Sequence, residues 1–224
     1  MFGVRIMKAT SSIAFQPRKT PVQERSAVTV EAIAEATIQV LLSVGLDRMT
    51  TTRVAERAGV SVGTLYQYYP NKQALLYAVV ENHLTNVAKA VENACRAHRG
   101  ESVKTLVAAV VTAFVDAKLE RADVSTALYA AAAEQGVAGV VQRVSRRGQQ
   151  ALTAALAEAS GVGTSDIEFV ALMMYSAMAG TTRAVLEAGA PPKMVARLRE
   201  ELQVLCQAYA AKAVRLHSGS KDRS

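Results

Sequence analysis

The sequence predicts an all-α protein of about nine helices: a three-helix head at the N-terminus and a helical body after it. Three observations carry this. The 224 residues are half hydrophobic and rich in alanine, with only 5 prolines, and no segment alternates apolar and polar residues as a half-buried strand does. Apolar residues recur instead at helical spacing, in segments opened by capping residues or closed by glycines. The stretch TTRVAERAGVSVGTLYQYYPNK, residues 51–72, reads as two short helices about a glycine turn, the helix-turn-helix arrangement.

Charge and composition narrow the function classes. A net charge of +7 suits a polyanionic partner without proving one. The two cysteines, Cys95 and Cys206, make no disulfide framework and have no metal-ligand spacing around them, so a reducing cytoplasm is expected, with no metal or cofactor. A redox pair would need clustered basic residues or a resolving thiol, and neither is evident. The N-terminus lacks the basic-then-apolar signature of a signal peptide. No run reaches the roughly 18 consecutive apolar residues of a membrane span, so no membrane partner is expected. There is no Ser/His/Asp grouping, phosphate-cradling glycine loop or paired-carboxylate site, which argues against an enzyme and leaves no catalytic residue to name.

Taken in order, residues 1–19 read as a flexible arm carrying Arg5, Lys8, Arg18 and Lys19, either a basic arm for DNA or an untidy terminus. Residues 20–72 form the head. Thr20, Pro21 and Gln23 make an N-terminal signal, with Ser26 a second possible start. Val30, Ile33, Thr37, Val40, Leu41 and Val44 make one helical stripe, closed by Gly45. Leu46 and Met49 plug the space between this helix and the next two. Val54, Ala55 and Ala58 point inward on the second helix, Gly59 suits a left-handed C′ position, and Ser61 caps the third. On the third helix Leu65 and Tyr68 share the inner side, while Val62, Thr64 and Gln67 are left to touch something outside.

Residues 73–216 form the body. A helix of ~28 residues, ~42 Å long at 1.5 Å per residue, runs from Asn71 to about Ala97 or Arg99, ended by Gly100, with Leu75, Leu76, Val79, Val80, Leu84 and Val87 inward. Val103, Leu106, Val107, Val110 and Phe114 mark the next helix. A break follows at Arg121-Ala122-Asp123, then a helix through Ala127–Ala133 that Gly136 and Gly139 weaken or end. Val140–Ala159 reads as a helix and Gly161–Thr164 as a loop. Ser165 and Glu168 form a capping box before a helix that is apolar almost all round from Phe169 to Met178, the pattern of burial on more than one side. After Gly189, Pro191-Pro192 opens the last helix, with Met194, Val195, Leu198, Leu202, Leu205, Cys206 and Tyr209 on one face. Residues 217–224 are a flexible polar tail.

The segments RKTPVQERS (18–26) and AIAEATIQVLLSVGLDRMTTTRVAERAGVSVGTLYQYYPNKQALL (32–76) resemble the TetR family of bacterial transcriptional regulators, in particular its multidrug-regulator branch. The likeness is strongest over Thr20–Leu76 and densest in AGVSVGTLYQYYPNK. Beyond Leu76 only helical layout and length agree. In the family, positions matching Thr51, Thr64, Tyr66 and Lys72 commonly touch DNA. The residues support that carry-over. Gly63 lets the backbone approach the groove, Val62 and the Thr64 methyl suit thymine methyls, and the Gln67 amide can pair bidentately with adenine. Tyr66 and Tyr69 offer phenols to phosphates, and Lys72 adds charge at a helix N-terminus. Thr51 can donate to a phosphate, act as an N-cap, or both.

The resemblance also implies an effector-binding and dimerising body, with a homodimer formed through the last two helices and reading a palindromic operator on double-stranded DNA. For a pocket taking an apolar or amphipathic small molecule, the candidates are Phe114, Tyr129, Phe169, Met173, Met174, Tyr175 and Met178, against a plain-core reading of each. His83 reads as a buried, hydrogen-bonded histidine before a ligand contact, and Arg183 needs an anionic partner, from the protein or from an effector. The expected function is a TetR-type repressor released by its effector. The alternatives are a regulator without a small ligand, activating or protein-controlled, and a helical enzyme or binding protein whose head only resembles a DNA reader.

Overall fold

The computed structural model describes residues 24–132, 137–159 and 166–216. Among them are nine α-helices and no strand: α1 Glu24–Arg48, α2 Thr51–Ala58, α3 Val62–Tyr68, α4 Lys72–Ala97, α5 Val103–Leu119, α6 Ala122–Ala132, α7 Ala138–Glu158, α8 Ile167–Glu187 and α9 Pro192–Leu216. The arm 1–19, the Thr20-Pro21 signal, Gly136, the loop Gly161–Thr164, Ser165 and the tail 217–224 lie outside the described residues.

The head is built as its apolar stripes dictate. Ile33, Thr37, Val40 and Leu41 of α1 are buried against Met49, Val54, Ala55 and Leu65. Thr37 is satisfied inside the core by donating to the Ile33 carbonyl at 2.7 Å. Gly45, at φ 77°, turns the chain out of helical geometry, and Leu46 packs in after it. The cap of α2 is Thr50, whose side chain accepts from the Arg53 N–H, so Thr51 is the first helical residue and not the cap. Gly59 takes the left-handed conformation, φ 68°, and its N–H reaches back to the Ala55 and Glu56 carbonyls. Ser61 then caps α3 by accepting from Thr64 N–H at 2.9 Å.

Helix α4 joins two cores. Its 26 residues span about 39 Å at 1.5 Å per residue. Leu75, Leu76, Val79 and Val80 lie in the head core, and Val87, Val91 and Cys95 in the body core with α5, α8 and α9. Ion pairs tie α4 and the segment after it to α7: Arg143 to Glu81, Arg147 to Glu92 at 2.6 Å, and Arg99 to Glu158. The head core also takes in Val124, Leu128 and Ala131 of α6 and Val140 and Val144 of α7.

Several expectations change. The break before α6 falls at Glu120–Arg121, because α5 closes at Leu119 and α6 already includes Ala122 and Asp123. Gly139 lies in the first turn of α7, where a missing side chain costs little, and does not end the preceding helix. The cap of α8 is Asp166, accepting from Phe169 N–H at 3.1 Å, one residue later than the Ser165 capping box. On α9, Leu198, Leu202 and Cys206 are buried, but Met194 and Leu205 are exposed, because the apolar residues wrap round two sides of the helix. The stretch Ser26–Arg48 and helix α8 are each long and apolar enough, by length and composition, to cross a membrane. Here their inner stripes pack in the head and body cores.

Candidate nucleic-acid interface and effector cavity

Helix α3 is held by one side only. Leu65 is fully buried and Tyr69, just past the helix, is 3 % exposed, so these two anchor it to the head. Gly63, Tyr66 and Gln67 remain exposed and Thr64 half-exposed. Tyr66 is 41 % exposed, and its phenol shares a 3.0 Å hydrogen bond with the Thr51 hydroxyl. The start of α2 and the middle of α3 therefore carry one connected pair of hydroxyls beside the Gln67 amide. Thr64 is tied by its hydroxyl to Ser61 at 2.8 Å, which leaves its methyl for apolar contact.

Three sequence-predicted DNA contacts are placed differently. Tyr69 is not on the outer face: its ring fills the head core, and burial raises its phenol pKa. Val62 is half-buried and packs partly on the head core. Lys72, the first residue of α4 after the Asn71 cap, donates from Nζ to the Leu46 carbonyl at 2.6 Å. It thus clasps the turn after Gly45, with two of its ammonium protons left for another acceptor. Arg53, exposed beside this face, donates to the Arg48 carbonyl at 3.0 Å.

The body encloses a cavity of about 300 Å³ between α4, α5, α6, α7 and α8. Leu84, Val87, Phe114, Val141 and Val144 make its apolar wall, and Lys118, Tyr129, Ser145, Tyr175 and Arg183 its polar part. Of the seven sequence-predicted pocket residues, Phe114, Tyr129 and Tyr175 line it. The Phe114 and Tyr175 rings meet edge to face at 5.5 Å between centroids. Met174 and Met178 are fully buried core residues outside the lining. Phe169 and Met173 do not line this cavity: both are exposed on the outer side of α8, where Phe169 borders a separate open groove with Gln149, Gln150 and Thr153 of α7. Burial pushes the phenols of Tyr129 and Tyr175 up to about 12.

Lys118 was not anticipated from sequence. It sits in the last turn of α5, four residues beyond Phe114, a spacing that puts both on one helical side. The Ser125 hydroxyl donates its one proton to the Lys118 carbonyl at 2.7 Å, so at 3.1 Å it accepts from Nε2–H of His83. Burial, with the charges of Lys118 and Arg121, lowers the His83 pKa to about 4. Arg183 pairs with Glu187 at 2.7 Å, so its anionic partner is a protein carboxylate. Both thiols are buried and their pKa values pushed up to about 11, which makes them poor nucleophiles.

A third feature is an apolar outer face. Phe169, Leu172 and Met173 of α8 and Met194, Val204 and Leu205 of α9 are large, hydrophobic and exposed. Their spacing puts each set on one side of its helix.

Comparison with known proteins agrees with this layout. A family model described as "Bacterial regulatory proteins, tetR family" matches residues 33–79, and one described as "Tetracyclin repressor-like, C-terminal domain" matches residues 102–209. The tetracycline repressor protein class C of Escherichia coli is 44 % identical over 55 residues, 25 % of this chain and 25 % of that protein. The first curated relatives are matched over only about a quarter to two fifths of their own length. A TetR-family transcriptional regulator from Mesorhizobium loti shares the fold with a TM-score of 0.71 at 16 % identity, over 84 % of this chain and 98 % of that one. The SmeT–triclosan complex aligns with a TM-score of 0.65 at 20 % identity, over 83 % and 91 %.

Proposed function

Since the chain belongs to the tetR family of bacterial regulatory proteins, we propose that it is a dimeric repressor that holds a palindromic operator and releases it when a small molecule enters the body. The observation that carries this is the outer face of α3, where Gly63, Thr64, Tyr66 and Gln67 stay outside the head core that Leu65 and Tyr69 anchor. Gln67 reads a base edge, the Thr64 methyl contacts a thymine methyl, and the Thr51–Tyr66 hydroxyl pair donates to phosphate. Lys72 stiffens the head through Leu46 and adds charge near the DNA backbone.

A single head would hold DNA weakly, and a two-fold pair gives the spacing of two half-sites. The exposed apolar face of α8 and α9 supplies the surface for a four-helix interface. The effector acts from the cavity. Leu84 and Val87 of α4 line it, and so do Tyr129 and Ala132 of α6, while other residues of both helices are built into the head core. A ligand that favours one position of α4 and α6 biases the position of the head, and DNA affinity falls by the difference in ligand affinity between the two states. The triclosan complex of a structural neighbour and the tetracycline repressor among the relatives support a small-molecule input. With DNA as its partner, the protein works in the cytoplasm.

A mobility-shift titration on DNA from upstream of its own coding sequence tests the reading. The expected result is a complex of two chains per duplex, weakened steeply by salt. No retarded complex at low salt would count against DNA binding. A complex that no small molecule releases would favour a regulator without an effector.

A further inference from the structure

Lys118 presents a physical problem that the fold itself does not solve. The side chain is 5 % exposed, lines the cavity, and has no carboxylate within ion-pair distance among the described residues. Its Nζ lies 5.1 Å from the centroid of the Tyr129 ring, a cation–π contact with a neutral phenol. The Arg183 guanidinium lies 5.1 Å from the same ring, so two cations converge on one aromatic wall. Glu187, the one carboxylate whose charge reaches Tyr129, is taken up by Arg183. A buried ammonium without a counter-ion is costly, and burial brings its pKa down to about 8. Apart from the Ser145 hydroxyl and the Tyr129 and Tyr175 phenols, the rest of the lining is apolar.

We propose that the cavity takes an amphipathic anion, its acid group seated beside Lys118 and Arg183 and its apolar body against Leu84, Val87, Phe114 and Val144. This rests on the reading of the cavity as the effector site and adds the chemical class of the effector. The anion supplies the counter-charge that the fold withholds from Lys118. A neutral ligand of equal size fills the apolar wall but leaves the ammonium uncompensated, so selectivity for the acid is built into the lining.

A matched pair of fluorescent probes tests this on the full chain. Anilinonaphthalenesulfonate and N-phenylnaphthylamine share their aromatic body and differ by the acid group. The first should bind about tenfold or more tightly than the second, the scale of one charge-assisted hydrogen bond. Lys118→Met, which keeps the length and apolar volume of the side chain, should remove that preference and leave the neutral probe unchanged. Ala179→Leu, which narrows the cavity, should weaken both. Equal affinity for the two probes, unaltered by Lys118→Met while Ala179→Leu still weakens both, overturns the anion assignment and leaves the effector cavity standing. Binding of both probes untouched by Ala179→Leu, or binding of neither, overturns the cavity as an effector site and the assignment with it.

Discussion

Gly148 stands against the ring of Tyr175, close enough that an added Cβ would fall 2.6 Å from Cε2 of that ring. The phenol keeps its place in the cavity wall because α7 has no side chain at that point. Gly148→Ala should therefore displace Tyr175 and cost about 1–3 kcal/mol, the usual penalty of overpacking, read by urea unfolding. Wild-type stability in that variant would mean the ring moves freely. His83 makes a second prediction. Its folded pKa of about 4 lies below the 6.5 of an exposed histidine. Between these values the unfolded chain binds a proton that the folded chain refuses, so stability falls as pH drops from 6.5 to about 4 and the loss levels off below. The slope is worth on the order of 3 kcal/mol. His83→Asn, which can still meet Ser125, should flatten that part of the curve in unfolding titrations between pH 4 and 7. The groups facing His83 are Ser125, Lys118 and Arg121. At this scale the sequence was partly legible. Gly59 and Ser61 announce their roles through chemistry local to the turn, and the structure has them there. Tyr66 and Tyr69 carry the same side chain three residues apart, and only the end of α3 decides that one is outside and the other in the core. Lys118 carries no local sign of its burial, because the ring and guanidinium around it come from Tyr129 of α6 and Arg183 of α8.

Helix α6 has two duties in its 11 residues. Val124, Leu128 and Ala131 sit in the head core, and Tyr129 and Ala132 face the cavity. Arg121, just before it, also pairs with Glu35 of α1 at 3.7 Å. An effector that moves Tyr129 thus moves residues built into the head, with α4 as a parallel route. Leu128→Ala should cost about 2–4 kcal/mol as a buried truncation. It should also shrink the change in DNA affinity that a cavity ligand produces, because the link is loosened at its middle. Anisotropy titrations of operator DNA with and without the ligand measure that ratio, and an unchanged ratio would place the coupling in α4 alone. Helix identities and order were readable because each apolar stripe is long and its caps are local. The dual role of α6 was not, because its eleven residues are apolar or small on most sides, and nothing within the helix says which neighbour meets which face.

For the whole molecule, the all-round apolar character of α8 was legible as burial on two sides. The structure assigns the sides. Val170, Met174 and Met178 go into the body, while Phe169, Leu172 and Met173 are exposed, as are Val204 and Leu205 of α9. Phe169 and Met173 lie outside the body cavity, which helical spacing alone does not reveal because it does not separate an inner apolar face from an outer one. The proposed dimer would bury this outer face, so Leu205→Glu, which places a charge in that apolar surface, should shift the protein to monomer in sedimentation velocity with its melting little changed. A Leu205→Glu protein that stays dimeric would place the interface elsewhere. The central claim is that the outer face of α3 reads DNA sequence. Fluorescence anisotropy with the upstream duplex and a shuffled duplex of equal length, at two salt concentrations, tests it directly with wild type and Gln67→Ala. The account predicts tight, salt-sensitive binding that prefers the upstream duplex. Gln67→Ala should lose about 1–3 kcal/mol of that preference while keeping its affinity for the shuffled duplex. Binding that ignores sequence in the wild type, or a preference unchanged by Gln67→Ala, would contradict it.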